Sequence, residues 1–170
     1  CYYFSMPNMK KRILHLVAFT IVTYIALKTT TMGWNSWSGS YRGGAPAEIA
    51  KDLKAHVARL AGEIGPRDLF RNNAAALKAA EEYITSRLKS YGYKVEFQEY
   101  PLAGVTARNI TGIKTGALVP EETVIVGAHF DTFENPGADD NASGVAGMLT
   151  LARLLAKTPA ARTLKFVAFA

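Results

Sequence analysis

The chain predicts an α/β fold: a mixed, mostly parallel central sheet in a three-layer α/β/α arrangement, preceded by an apolar N-terminal helix. Three observations carry this prediction. Two segments, 48–63 and 73–91, repeat apolar residues at three- and four-residue spacing, the period of an amphipathic helix. Two others, 94–100 and 105–113, read as strands of a peripheral hairpin. Finally, an apolar strand at 124–126, a helical pattern at 142–156 and an apolar strand at 163–170 follow in order. Strand, helix, strand implies a right-handed parallel crossover.

In the first helix Ile49, Leu53, His56, Val57, Leu60 and Ile64 share a stripe, and Gly65-Pro66 stops it. His56 near that stripe reads as a structural histidine, since no carboxylate pattern accompanies it. The second helix buries Ala76, Leu77, Ala80, Tyr83, Ile84 and Leu88, and Gly92 closes it. Lys94 to Tyr100 alternates as a half-buried strand with Val95 and Phe97 inward. Thr115-Gly116 and Pro120-Glu121 are turn signals. Val124-Ile125-Val126 is β-branched and apolar, as in a strand covered on both faces. The last helix carries Val145, Met148, Leu149, Ala152 and Leu155 on one stripe.

Ahead of this domain, the chain changes character. Residues 1–12 are basic, with Lys10, Lys11 and Arg12 ahead of an apolar run, Ile13 to Leu27. That pairing predicts an export signal in segment 13–28, either cleaved or kept as a membrane anchor. Fifteen helical residues reach only about 22 Å, less than the roughly 30 Å of a bilayer's hydrocarbon core. Residues 29–47 are rich in Gly, Ser and Thr and read as a linker to the domain at 48–170. The domain would then be extracytoplasmic, membrane-tethered through that helix or released as a periplasmic or secreted protein.

The net charge of +6 comes almost wholly from the leader. From Pro46 onward, 15 Lys and Arg face 14 Asp and Glu, so no basic face for nucleic acid stands out. Cys1 is the single cysteine, which excludes an internal disulfide and a Cys-rich zinc site.

The chemistry gathers in one stretch, VIVGAHFDTFENPGADDNASG from Val124 to Gly144. His129 and Asp131 lie two residues apart at a strand end, hence on one side of an extended backbone. Asp139-Asp140-Asn141 follows a Pro136-Gly137 turn and opens a helix. An imidazole and carboxylates where a strand meets a helix suit a divalent metal, with Asp131 orienting His129 and Asp139 or Asp140 as a second donor. A hydrogen-bonded histidine beside a helix-capping Asp-Asp-Asn cluster accounts for the same residues without a metal.

Two adjacent blocks, Gly127-Ala128-His129-Phe130-Asp131-Thr132 and Pro136-Gly137-Ala138-Asp139-Asp140-Asn141-Ala142-Ser143-Gly144, resemble the co-catalytic di-zinc aminopeptidase family. Secreted bacterial leucyl aminopeptidases and relatives of glutamate carboxypeptidase belong to it. The resemblance implies that His129 binds one Zn2+, that Asp131 buttresses it, and that Asp140 bridges two metals, leaving Asp139 a neighbour. It implies hydrolysis of peptide substrates with release of N-terminal amino acids. It covers roughly Glu48 to Ala170, about the first half of that family's catalytic domain. A Glu-Glu pair, the first the general base and the second a ligand, and a later Asp and His complete the family's site. In that family the pair follows the strand that Lys165-Phe166-Val167-Ala168-Phe169 matches, so the 170 residues end before any of these and are expected to be inactive alone. Two other readings use the same fold. One is a single-zinc glutaminyl cyclotransferase. The other is a metal-free, membrane-tethered binding ectodomain like the transferrin receptor's relatives.

Overall fold

A computed structural model describes residues 46–70, 73–102 and 105–170 of the chain, all within the unit Ala45–Ala170. The basic segment, the apolar run and nearly all of the linker lie outside the described residues. Among those described, no helix is long and apolar enough to cross a membrane.

The first helix, α1 (Ala47–Val57), does not run on evenly to Glu63 as its periodicity predicts. At Ala58 it widens into a π-helical turn, Ala58–Ile64, in which Gly65 N–H donates to Leu60 O over 3.1 Å. Glu48 in the opening turn suits the positive end of the helix dipole. Helix α2 (Ala74–Ser90) buries Leu77, Ala80, Ile84 and Leu88 as expected. It ends where Gly92, at φ 88°, reverses the chain, so that Tyr93 N–H can donate back to Leu88 O.

Four strands follow: β1 (Lys94–Leu102), β2 (Val105–Lys114), β3 (Val119–His129) and β4 (Arg162–Phe169), with helix α3 (Ser143–Leu155) between the last two. Their order in the sheet is β1-β2-β4-β3. The hairpin β1–β2 is antiparallel, with Phe97 opposite Ile110, and β2 runs antiparallel to β4, with Ile110 opposite Ala168. Strand β3 lies parallel to β4, Val126 beside Phe166, as the crossover through α3 requires. The sheet is mixed, as predicted. Antiparallel pairs outnumber parallel ones among the described strands, because β2 sits inside the sheet rather than at its periphery.

One face of this sheet holds the core. Ile110, Ala128, Phe166 and Ala168 meet Ile84 and Leu88 of α2 and Val145, Met148, Leu149 and Ala152 of α3. Tyr93 packs edge-on against Phe166 at 5.2 Å and donates its hydroxyl to Ala152 O over 2.8 Å. Lys114 closes the far end of α3: its Nζ donates to the carbonyls of Leu155, Ala156 and Thr158, each at 2.7 Å. The sheet and this one helical layer are the part of the predicted three layers that the described residues form.

Three sequence expectations differ from what is seen. Val124 and Ile125 are not covered on both faces; Ile125 is 62% exposed. Strand β3 is the outermost in the sheet, and alternation puts Ile125 on the side opposite the core. Phe97 is exposed too, because β1 is the other outer strand, and the Arg108 guanidinium stacks on its ring at 5.1 Å. Pro120-Glu121 is no turn but part of an irregularity inside β3, where the pairing slips between Val119 and Thr123. An outer strand tolerates a proline that a central one would not.

Helix α1 is fastened sideways. Arg153 Nε donates to Asp52 at 2.7 Å, tying α3 to α1. His56 is buried, as a structural histidine should be, with Nδ1 2.6 Å from the Tyr83 hydroxyl of α2. Its Nε2 has no hydrogen-bond partner and stands 3.9 Å from Asp52. Burial lowers the His56 pKa from its ordinary 6.5; Asp52 opposes the shift, while Arg87 and Arg153 reinforce it.

Two outcomes follow for stability. Ile84→Ala opens a cavity in the fully buried core and costs about 2–5 kcal/mol in urea unfolding. Below the ordinary imidazole value the unfolded chain takes up a proton that folded His56 resists. Stability therefore falls as pH drops from about 6.5, and the His56→Gln variant shows a flatter acid limb when unfolding is followed against pH.

Candidate metal centre

Strand β3 delivers His129 at its last position, beside Phe169 of β4, and Phe130 N–H then donates to Phe169 O over 2.8 Å. Alternation places the imidazole on the side of the sheet away from the core, at the carboxyl edge. Asp131 lies just past the strand and still reaches back: its Oδ1 is 3.2 Å from His129 Nδ1. From across the loop comes Asp140, with Oδ1 at 2.8 Å from His129 Nε2. The three residues singled out in the sequence are thus brought together around one imidazole. Asp139 is a neighbour: its backbone carbonyl accepts from Ser143 Oγ at 2.8 Å.

The turn carrying Asp140 is built by local chemistry. Asn135 Oδ1 accepts from Gly137 N–H at 2.7 Å, an Asx turn that starts the reversal. Gly137 sits in the left-handed region at φ 58°, where an added Cβ would overlap the Asp140 carbonyl and the Thr132 methyl. Asp140 itself is extended, at φ −114° and ψ 89°, and the Asp140–Asn141 peptide is cis. Asn141 Oδ1 accepts from Gly144 N–H at 2.9 Å, satisfying a first-turn donor of α3. Gly144 is required there because a Cβ would overlap that amide. The Asp-Asp-Asn cluster is divided between two tasks. Asn141 serves the helix, whereas the Asp140 side chain, 87% exposed, turns to His129.

One residue that shapes this loop went unread in the sequence. Arg67 follows the Gly-Pro helix stop, outside any periodic pattern, and nothing in its neighbours marks it as special. Its side chain is wholly buried. Nε donates to Phe130 O at 2.7 Å, and Nη1 to Leu60 O at 2.6 Å, Gly65 O at 2.7 Å and Pro136 O at 3.0 Å. Its backbone exchanges bonds with Thr132: Arg67 N–H to Oγ1 at 2.7 Å, and Thr132 N–H to Arg67 O at 3.2 Å. Burial lowers the guanidinium pKa, and the Asp131 carboxylate opposes that shift. Next to it, buried Asp68 accepts from Phe70 N–H at 2.8 Å and from Glu134 N–H at 3.3 Å.

The donors suit zinc in kind and in spacing. Two ligands on one tetrahedral zinc stand roughly 3.3 Å apart when each bond is about 2.0–2.1 Å. The 2.8 Å contact of His129 with Asp140 needs to open by only about half an ångström, and an exposed Asp140 side chain is free to do so. No third His, Cys, Asp or Glu joins them in a metal-holding group among the described residues.

Comparison with known proteins points the same way. Residues 109–170 match Peptidase family M28. The protein YfbL of Escherichia coli (strain K12) is 32% identical over 159 residues, covering 88% of this chain and 48% of YfbL. Aminopeptidase YwaD of Bacillus subtilis (strain 168) is 39% identical over 66 residues, 38% of this chain and 14% of its own. Among solved structures, a Zn-dependent exopeptidase from Parabacteroides distasonis ATCC 8503 superposes with TM-score 0.60 at 30% identity, over 74% of this chain and 48% of that one. Tannerella forsythia glutaminyl cyclase superposes with TM-score 0.59 at 29% identity, over 71% and 46%. The chain thus spans about half the length of YfbL and of both solved structures. Residues 109–170 thus carry the pattern of Peptidase family M28, on a mixed α/β sheet like that of a zinc exopeptidase and with His129, Asp131 and Asp140 gathered at the strand edge, in line with the family that the sequence resembles.

Proposed function

We propose that the protein carrying this chain is a zinc aminopeptidase that removes N-terminal residues from peptides, with two zinc ions in its complete site. The observation that carries this reading is the double engagement of His129: Asp131 on Nδ1 at 3.2 Å and Asp140 at Nε2 at 2.8 Å. A carboxylate on Nδ1 leaves Nε2 as the nitrogen for a metal and strengthens it as a donor. Asp140, with two oxygens at the exposed mouth of the site, suits a bridging ligand. Zinc, when bound there, supplies a Lewis acid for the scissile carbonyl and makes water a nucleophile near neutral pH. The chain's own part is to set the imidazole tautomer, hold Asp140 opposite it, and keep both at the open edge where a peptide can approach.

The basic leader and the apolar run at 13–27 support an exported protein, either anchored through that helix or released after cleavage. A second reading, glutaminyl cyclisation, is favoured by one observation, the structural likeness to the Tannerella forsythia enzyme. A binding module without metal is disfavoured by the convergence of His129 and Asp140.

Zinc content of the full-length protein, assayed with amino-acid anilides and with peptides bearing N-terminal glutamine, separates the three. Anilide hydrolysis with bound zinc is the expected result. Release of pyroglutamyl product alone selects the cyclase, and absence of zinc selects the binding module. His129→Ala should abolish zinc retention at that position, whereas Asp131→Asn should weaken zinc affinity about 10–100-fold and leave the fold intact. Residues 1–170 by themselves bring two donors and should release no detectable anilide product; turnover by that purified polypeptide would overturn the claim that they are insufficient.

A further inference from the structure

Of the groups outside the metal centre, Arg67 stands apart, a fully buried cation whose bonds all go to backbone carbonyls or to Thr132. We propose that Arg67 is a positioning residue for the metal centre, holding the peptides on both sides of Asp131 and the start of the Asp140 turn at once. The inference rests on the metal-centre reading and adds a residue to it.

The placement of the bonds makes the case. Phe130 O takes Nε–H, and Thr132 exchanges two bonds with the Arg67 backbone, so the residues before and after Asp131 are both held. The direction in which Asp131 meets His129 Nδ1 is set by those two neighbours. Nη1 reaches Pro136 O, one residue ahead of Gly137, where the chain turns to bring in Asp140. Its other two carbonyls, Leu60 and Gly65, belong to the end of the π-helical turn after α1 and anchor the guanidinium to the helical layer. One planar group therefore touches both ends of the segment between His129 and Asp140. The guanidinium reaches Phe130 O through Nε and Pro136 O through Nη1, two nitrogens held in one rigid fork, a geometry that the single, freely rotating ammonium of a lysine does not impose. The charge also exceeds what a simple loop staple needs. Burying a guanidinium is costly, and Nη2 has no hydrogen-bond partner here.

A purely structural staple and a positioning residue part company in one measurement. In the full-length protein, Arg67→Lys and Thr132→Val are compared with Leu88→Ala, a core truncation in α2 remote from the loop. Zinc affinity is read by chelator competition, and site geometry by the visible absorption of the Co2+-substituted protein. The expected result is zinc binding weakened about 10–100-fold, with displaced Co2+ bands, in the two loop variants and wild-type values for both in Leu88→Ala. Wild-type affinity and spectrum in folded Arg67→Lys and Thr132→Val would overturn the proposal while leaving the metal centre standing. If Arg67→Lys does not fold, Thr132→Val decides, since it removes only the hydroxyl that accepts from Arg67 N–H. A wild-type protein that binds no zinc would instead overturn the metal-centre reading, and this inference with it.

Discussion

A single buried guanidinium ties together the loop at the carboxyl edge of this sheet. Water is a better environment than protein for an arginine, and Arg67 has given it up completely. What compensates is a set of backbone carbonyls from three places in the chain: the turn after α1, the residue after His129, and the residue before Gly137. Charge-assisted bonds of this kind are roughly twice as strong as neutral ones, and a fork of donors makes them directional. Loops of irregular backbone must satisfy their carbonyls somewhere. Here they do so on one side chain, which makes the loop's shape depend on the helical layer beneath it.

The sheet supplies the second constraint. Parallel pairing of β3 with β4 through α3 brings the end of one strand and the start of a helix to the same edge, the usual place for a site in open α/β sheets. Because β3 is outermost, its final histidine faces an open edge. The helical layer on the core face, locked through Tyr93, Lys114 and Arg153, keeps that edge from shifting.

Much of this was legible in the residues. The helical stripes of α2 and α3 buried most of the positions that their period named, with Ala76, Tyr83 and Leu155 only half-buried, and Gly92 ended α2 as a C-terminal glycine should. That His129 and Asp131 share one side of the strand end, with a carboxylate of the Asp139-Asp140 turn nearby, was legible too; the choice of Asp140 over Asp139 came from the family resemblance. Less legible was coverage. The β-branched run at 124–126 looks the same whether its strand is central or outermost, and only the strand order exposes Ile125. Pro120 read as a turn because proline seldom sits within a strand; an outer, irregular strand is the exception.

By itself, then, the sequence determined which residues could do chemistry and which segments were helix or strand, because those depend on residue type and on spacing over a few positions. Only the tertiary structure decided that Asn141 caps α3 while Asp140 turns to the imidazole, since two adjacent polar side chains are told apart only by the direction of the backbone. It decided, too, that Arg67 belongs to this site at all. Its partners lie up to 69 residues away, and no local pattern records a contact made across that distance.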